Sequence, residues 1–522
     1  MIDRRRMLAG MAAMPVVVPG VIPAAAQARG RGDPVAATRY GRVRGRVEQG
    51  VLAFRGIRYG ADTAPRRFRR ALPPEPWTGI ADATRYAAAA PQTRATEPTN
   101  EDCLFLNLWT PALDAGARPV MVYLHGGAHA HGSGSDPLYD GGNLVRRGDV
   151  VVVTLNHRLA ALGYAYLAQL GGPAESGNVG NLDIVLALQW VHDNIAGFGG
   201  DPRRVMIFGQ SGGGAKVVTL MAMADARPLF HAAATMSGQH VTAAGPNHAT
   251  ARARAWMAQA GAADVAMLAT MPVERLVAAM AMTDPLEGKG EISFTSTLDH
   301  HVLTRHPFVP DAPREAAHIP LIVGNTRDET GLWIADTLKR GDTDWANLPT
   351  RLAQQMTKDL APDHVVARYR ALYPDRTPGQ ILLAASTAGR SWPGHLIQAE
   401  ERARIGAPTW MYQLDFPSPL DGGVLGAFHT LDIPLVFDNV QVPDAPTGNG
   451  PDARRLAGRM ADAFVRLART GDPNGGDLPA WPTYDLARRG TMIFDRQCRV
   501  ENDPRREERL LFAVAPYIKP GG

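Results

Sequence analysis

The stretch "RVMIFGQSGGGAKVV", Arg204 to Val218, constrains the chain more than any other. An apolar run, Val205 to Phe208, meets Gly209, Gln210, Ser211 and three glycines, and a run of helical character follows. A strand that passes into a helix through glycines can cradle phosphate on backbone N–H groups, or it can hold an exposed nucleophile on a tight turn. A phosphate loop wants a lysine followed by a hydroxyl residue after its last glycine, whereas Gly214 is followed by Ala215, Lys216 and Val217. Gly209-Gln210-Ser211-Gly212-Gly213 instead fits G-x-S-x-G, in which the flanking glycines let strand and helix approach while the serine points outward.

Four further apolar runs read as buried strands: Val120–Leu124, Val150–Leu155, Leu321–Val323 and Trp410–Leu414. Between the second of these and Val205 lies "NLDIVLALQWVHDNIAGFGGDP", with apolar residues at helical spacing and a stop at Gly197, Gly199, Gly200 and Pro202. Strand, helix, strand implies a mostly parallel sheet with helices on both faces, and such sheets bind ligands beyond the carboxyl ends of their strands. The Ala- and Met-rich region from Ala249 to Met282 reads as helical, an insertion over the site whose methionines fill core. "VPDAPTGNGPD" reads as a loop before a final helix, Ala453–Arg469.

Each candidate strand leads into chemistry. After Val120–Leu124 comes "HGGAHAHGSGS", a glycine-rich turn whose N–H groups can point into a cavity. After Leu321–Val323 comes "GNTRDET", with adjacent carboxylates at Asp328 and Glu329, and beyond Trp410–Leu414 comes "GAFHTLDIP", with His429. Taken singly these are ordinary features: adjacent acids are commonly a solvated turn, and His429 is one of 15 histidines. Their occurrence in the order serine, acid, histidine is what raises them to a constellation. The residues alone leave Asp328 and Glu329 open as the acid.

That order is the one α/β-hydrolases use, and longer motifs agree. "EDCLFLNLWTP", "HGGAHAHGSGS", "NHRLAALGY", "GNLDIVLALQWVHDNIAGFGGDP", "FGQSGGG", "GNTRDET", "GAFHTLDIPLVFDN", "RTGDPN" and "WPTYD" resemble, in that order, the type-B carboxylesterase family of bacterial esterases and cholinesterases. The resemblance runs from about Val35 to beyond Ile493. It implies an α/β-hydrolase fold and carboxylic-ester hydrolysis on a small-molecule ester through an acyl-enzyme. It further implies Ser211 as nucleophile, Glu329 as acid, His429 as base, and an oxyanion hole from the N–H groups of Gly127, Ala128 and Gly212. No metal or organic cofactor is implied: His129 and His131 suggest a metal pair, but no third ligand is evident, and they are read with Gln210 as lining the substrate pocket. A related amidase or lactonase would use the same triad. A non-catalytic cholinesterase-like binding protein would lack the serine, and this chain keeps it.

The departures are specific. Relatives usually carry Glu and Ala on either side of the serine, where this chain has Gln210 and Gly212. The family often pairs the cysteine of "EDCL" with one in an upstream "CPQ", which here reads Ala90-Pro91-Gln92, so Cys103 is expected as a free buried thiol. His300 stands where relatives usually have Gly.

Two cysteines make no disulfide framework, so stability must come from burial, for which 45% hydrophobic residues suffice. The net charge of +4 is scattered arginine without a basic stripe, which argues against nucleic acid as a partner. The first 28 residues combine Arg4, Arg5 and Arg6 with an apolar stretch broken by Pro15, Pro19 and Gly20 and a small-residue end. They read as a twin-arginine-like export signal cleaved before Arg29, with no stable membrane anchor, a catalytic domain over 29–522 and a periplasmic or secreted location.

Overall fold

The structure, a computed structural model, describes residues 32–517; the export signal expected over 1–28 lies outside the described residues. Eleven strands form the main sheet: β1 (Arg46–Glu48), β2 (Val51–Arg58), β3 (Phe105–Thr110), β4 (Arg118–Leu124), β5 (Val151–Leu155), β6 (Gly200–Gln210), β7 (Ala232–Met236), β8 (Leu321–Thr326), β9 (Thr409–Leu414), β10 (Gly490–Phe494) and β11 (Arg499–Asn502). Their order across the sheet is β11-β10-β9-β8-β7-β6-β4-β5-β3-β2-β1. The pairings from β5 through β4 to β10 are all parallel. Antiparallel strands close the two edges. This is the α/β-hydrolase architecture.

Each of the five strands read from apolar runs lies within one of these strands to a residue or so. The reason is burial on both faces, which turns a central parallel strand into a continuous apolar run. Alternation then splits each run between two cores: Met121, Tyr123, Met206 and Phe208 enter one, and Val120, Val122, Leu124, Val205 and Ile207 the other. Helix α1 (Val179–Asn194) covers the second core with Leu182, Leu188 and Val191, and ends in a turn closed by Gly199 at φ +78°. Helix α2 (Gly212–Ala222) follows β6 after a single residue, Ser211. The last long helix, Pro451–Thr470, lays Leu456, Met460, Phe464 and Leu467 on the first core, close to the Ala453–Arg469 expected.

The Ala249–Met282 region is helical, as three α-helices and a closing 3-10 turn. Helix α3 (Pro246–Ala260) stops at Gly261, which adopts φ +74°, and Pro272 separates α4 (Val265–Thr270) from α5 (Val273–Ala278). Trp256, Met257, Met271 and Met280 pack with Phe68, Leu162 and Tyr164 in a small core of their own, so these methionines do fill space. Further along the chain α6 (Pro378–Arg390) starts with a capping box on Thr377 and Gln380 and runs almost directly into α7 (Trp392–Arg404).

Candidate active site

Strand β6 delivers Ser211 at φ +55°, ψ −121°, outside any broad allowed region for an L-residue. The turn closes because glycines flank it: a Cβ on Gly213 would lie 1.9 Å from the Leu124 carbonyl oxygen, and one on Gly209 2.5 Å from the Gly213 carbonyl carbon. The Ser211 N–H donates to the Met236 carbonyl at 2.7 Å, tying the turn to β7.

Beyond β8 the two adjacent carboxylates part company. Glu329 is buried, and its Oε1 accepts from the Ser237 hydroxyl at 2.6 Å and from the Thr326 N–H at 2.9 Å. Its Oε2 accepts from His429 Nδ1 at 2.5 Å. Asp328 turns the other way, taking the Ala427 N–H at 2.9 Å and so pinning the loop that carries His429. A Cβ on Gly426 would lie 2.3 Å from the Asp328 carboxylate, so glycine is needed at the bend, where φ is +64°.

The imidazole of His429 lies against the Trp333 indole, with ring centroids 4.8 Å apart. Its Nε2 faces the Gln210 side-chain amide, whose Nε2 is 3.3 Å away. A Ser211 Oγ to His429 bond is not among the hydrogen bonds of the described residues; catalytic bonds of this kind often tighten only when substrate is bound.

The Gly127-Ala128 turn packs against the elbow, where a Cβ on Gly212 would stand 1.9 Å from the Ala128 carbonyl oxygen. Gly127 adopts φ +83° and Ala128 φ +55°. Among the described residues the N–H groups of Gly127, Ala128 and Gly212 donate to no protein acceptor.

The chain matches the model of the carboxylesterase family over residues 32–512. It is 34% identical over 495 residues to the para-nitrobenzyl esterase of Bacillus subtilis, spanning 91% of this chain and 97% of that protein. It is likewise 34% identical over 507 residues to the phenmedipham hydrolase of Pseudarthrobacter oxydans, spanning 91% and 98%. The crystal structure of a Geobacillus stearothermophilus carboxylesterase superimposes with a TM-score of 0.81 at 36% identity, covering 92% of this chain and 99% of that one. The chain belongs to the carboxylesterase family. It is a carboxylic ester hydrolase.

Within this carboxylesterase the surroundings of Glu329 favour its ionised form. Burial alone would raise the Glu329 carboxyl, but the His429 imidazole and the Ser237 hydroxyl together hold it below the usual carboxylate range. His395, buried on α7 near the pair, is pulled down to about 4 by desolvation and stays neutral. Burial also lifts Asp328 above the ordinary range, consistent with a carboxyl whose work is to hold a backbone N–H.

The pocket candidates separate. His129 is buried edge-on to Tyr164 at 4.6 Å and near His240 at 5.4 Å, and its Nε2 lies 3.2 Å from the Ser296 hydroxyl. His131 is half-buried in the same turn, and burial lowers its pKa. Gln210 is buried, with its amide against His429. Cys103 is a free, fully buried thiol, raised far above its normal pKa by desolvation. His300 holds φ +58°, which explains why a glycine suits that position.

Ser237 and Trp333 escaped the sequence reading. Ser237 follows an alanine-rich strand and belongs to no motif, and Trp333 is identified only by its packing on His429.

Proposed function

We propose that this esterase hydrolyses small-molecule esters through an acyl-enzyme, with Ser211 as nucleophile, His429 as base and Glu329 as the acid behind it. The observation that carries the reading is the Glu329–His429 bond at 2.5 Å, on an imidazole whose second nitrogen faces the elbow. A serine hydroxyl is a weak nucleophile until an imidazole takes its proton. Glu329 fixes the imidazole with Nδ1 protonated, which leaves Nε2 free to accept, and it steadies the positive charge that follows. The N–H groups of Gly127, Ala128 and Gly212 then receive the tetrahedral oxyanion, each contributing about 3 kcal/mol. Collapse releases the alcohol with the proton His429 carried, and water repeats the cycle to free the acid.

Ser211→Ala should reduce turnover of p-nitrophenyl acetate by roughly a millionfold, leaving only the residue due to the oxyanion donors, and an organophosphate should label Ser211 in the wild type. Substantial turnover by the alanine variant would remove Ser211 from this role. An ester, amide and lactone panel on the same two proteins separates esterase from amidase or lactonase action.

No helix among the described residues is long and apolar enough to cross a membrane. We infer from Arg4, Arg5 and the broken apolar stretch that residues 1–28 direct twin-arginine export of a catalytic domain spanning 29–522 to the periplasm or beyond. Arg4→Lys with Arg5→Lys should leave uncleaved precursor in the cytoplasm; normal export would point to the general secretory route.

A further inference from the structure

Helix α2 carries a lysine that the reaction above does not use. Lys216 lies one turn beyond Gly212 on the same face, and it is fully buried. Its Nζ donates to the Ala128 carbonyl at 2.8 Å. Among the described residues no carboxylate pairs with it, and desolvation pulls its ammonium down to about 7. The histidines that feel its charge offer no counter-ion. Burial, then Lys216, push His125 down to about 3 and His157 well below its ordinary value, and burial with Arg94 lowers His131.

Burying an ammonium beside neutral imidazoles is costly, and a helix that needed only packing would be served by an apolar side chain. The compensating contact is on a backbone that needs holding. Ala128 sits at φ +55°, sparsely populated for a residue with a Cβ. Its carbonyl reaches Lys216 only because position 212 has no side chain: a Cβ there would stand 1.9 Å from the Ala128 oxygen.

We propose that Lys216 is a positioning residue that acts through the Ala128 carbonyl to aim the oxyanion-hole N–H groups, with Gly212 and Lys216 working as one unit. The inference rests on the assignment of Gly127, Ala128 and Gly212 as oxyanion donors. A neutral amine still has N–H bonds to donate, so the tie to the carbonyl does not depend on the charge. Fixing donors within a fraction of an ångström of the developing oxyanion is what gives such a hole its effect.

The test uses Lys216→Met, which keeps length and apolar bulk but removes the donor. For p-nitrophenyl acetate, kcat should fall roughly ten- to a hundredfold, less than the 10²–10³ that follows outright loss of a donor, with KM within about threefold. Affinity for a trifluoromethyl ketone, whose adduct carries an oxyanion, should fall by the same factor as kcat/KM. Gly212→Ala pushes the same carbonyl off Lys216, so the double variant should be no slower than the worse single one; losses that multiply would overturn the coupling. A lowered Tm with kcat and ketone affinity at wild-type levels would mean that the lysine only packs, and would sink the inference while leaving the triad standing. Retained turnover in Ser211→Ala would instead remove the reading beneath it. If Lys216→Met does not fold, the wild-type ketone adduct decides by crystallography: Lys216 Nζ within about 3.2 Å of the Ala128 oxygen supports the proposal, and Lys216 turned away overturns it.

Discussion

Two buried carboxylates, one paired with a guanidinium and one with an imidazole, lie on opposite sides of this molecule's working logic. Asp183 of α1 receives Arg158 through Nε at 2.8 Å, the second guanidinium nitrogen at 2.6 Å and the Arg158 N–H at 3.0 Å, while the remaining guanidinium nitrogen donates to the Arg69 carbonyl at 2.8 Å. Glu329 receives His429 at 2.5 Å, with similar burial. The arginine pair is saturated, and its cation does not deprotonate at any working pH. The imidazole spends one nitrogen on the carboxylate and turns the other toward the elbow, where a proton can arrive and leave. Saturation makes a staple, and one nitrogen held only by the Gln210 amide at 3.3 Å makes a shuttle.

The sharpest way to break this comparison is to neutralise both carboxylates without changing their shape. Glu329→Gln should lower kcat by roughly 10³ to 10⁴, because the amide holds the imidazole in the wrong tautomer and leaves its positive charge unsupported. The fold should survive, since Ser237 and the Thr326 N–H still have an oxygen to bond. Pre-steady-state acylation of the folded variant measures the effect. A loss below tenfold would mean that another carboxylate serves His429.

Asp183→Asn should do the reverse. It leaves the Arg158 guanidinium buried with half its partner gone, which costs on the order of 3–5 kcal/mol of stability. Urea unfolding should show the shift in midpoint, while kcat per folded active site stays within about threefold of wild type. A large fall in kcat with unchanged stability would erase the distinction between staple and shuttle.

These contrasts also mark what the sequence makes legible. The central strands announce themselves because burial on both faces removes polar residues, as in Val120–Leu124 and Val205–Phe208. Strand β7 does not, because "AAATM" is mostly alanine, with Thr235 its one β-branched residue. Ser211 is legible because its turn tolerates only small neighbours, and those glycines are written in the chain. Choosing between Asp328 and Glu329 is different. Both are carboxylates on one tight turn, and which one meets His429 depends on how the strand end bends and on the Ala427 N–H that captures Asp328. Ser237 and Lys216 act on residues far away in sequence, 92 and 88 positions respectively, so no local pattern could reveal them.

The mildest perturbation adds charge to the shuttle and leaves the staple alone. The Gln210 amide already lies 3.3 Å from His429 Nε2, so Gln210→Glu sets an anion beside that nitrogen. An anion there favours the imidazolium, and an imidazolium cannot accept the Ser211 proton. The base is therefore available only at higher pH, and the acidic limb of kcat/KM should move upward by roughly one to four pH units, the range spanned by water-like and partly shielded electrostatics at that separation. The same charge should raise the rate on a cationic choline-type ester relative to a neutral ester of equal size, a preference the wild type, with a neutral amide at 210, should hardly show. A pH–rate series on both esters reads the two effects together. A profile superimposable on wild type with unchanged charge preference would mean that the side chain at 210 turns away from His429 in the working enzyme, and that the second imidazole nitrogen answers to Ser211 alone.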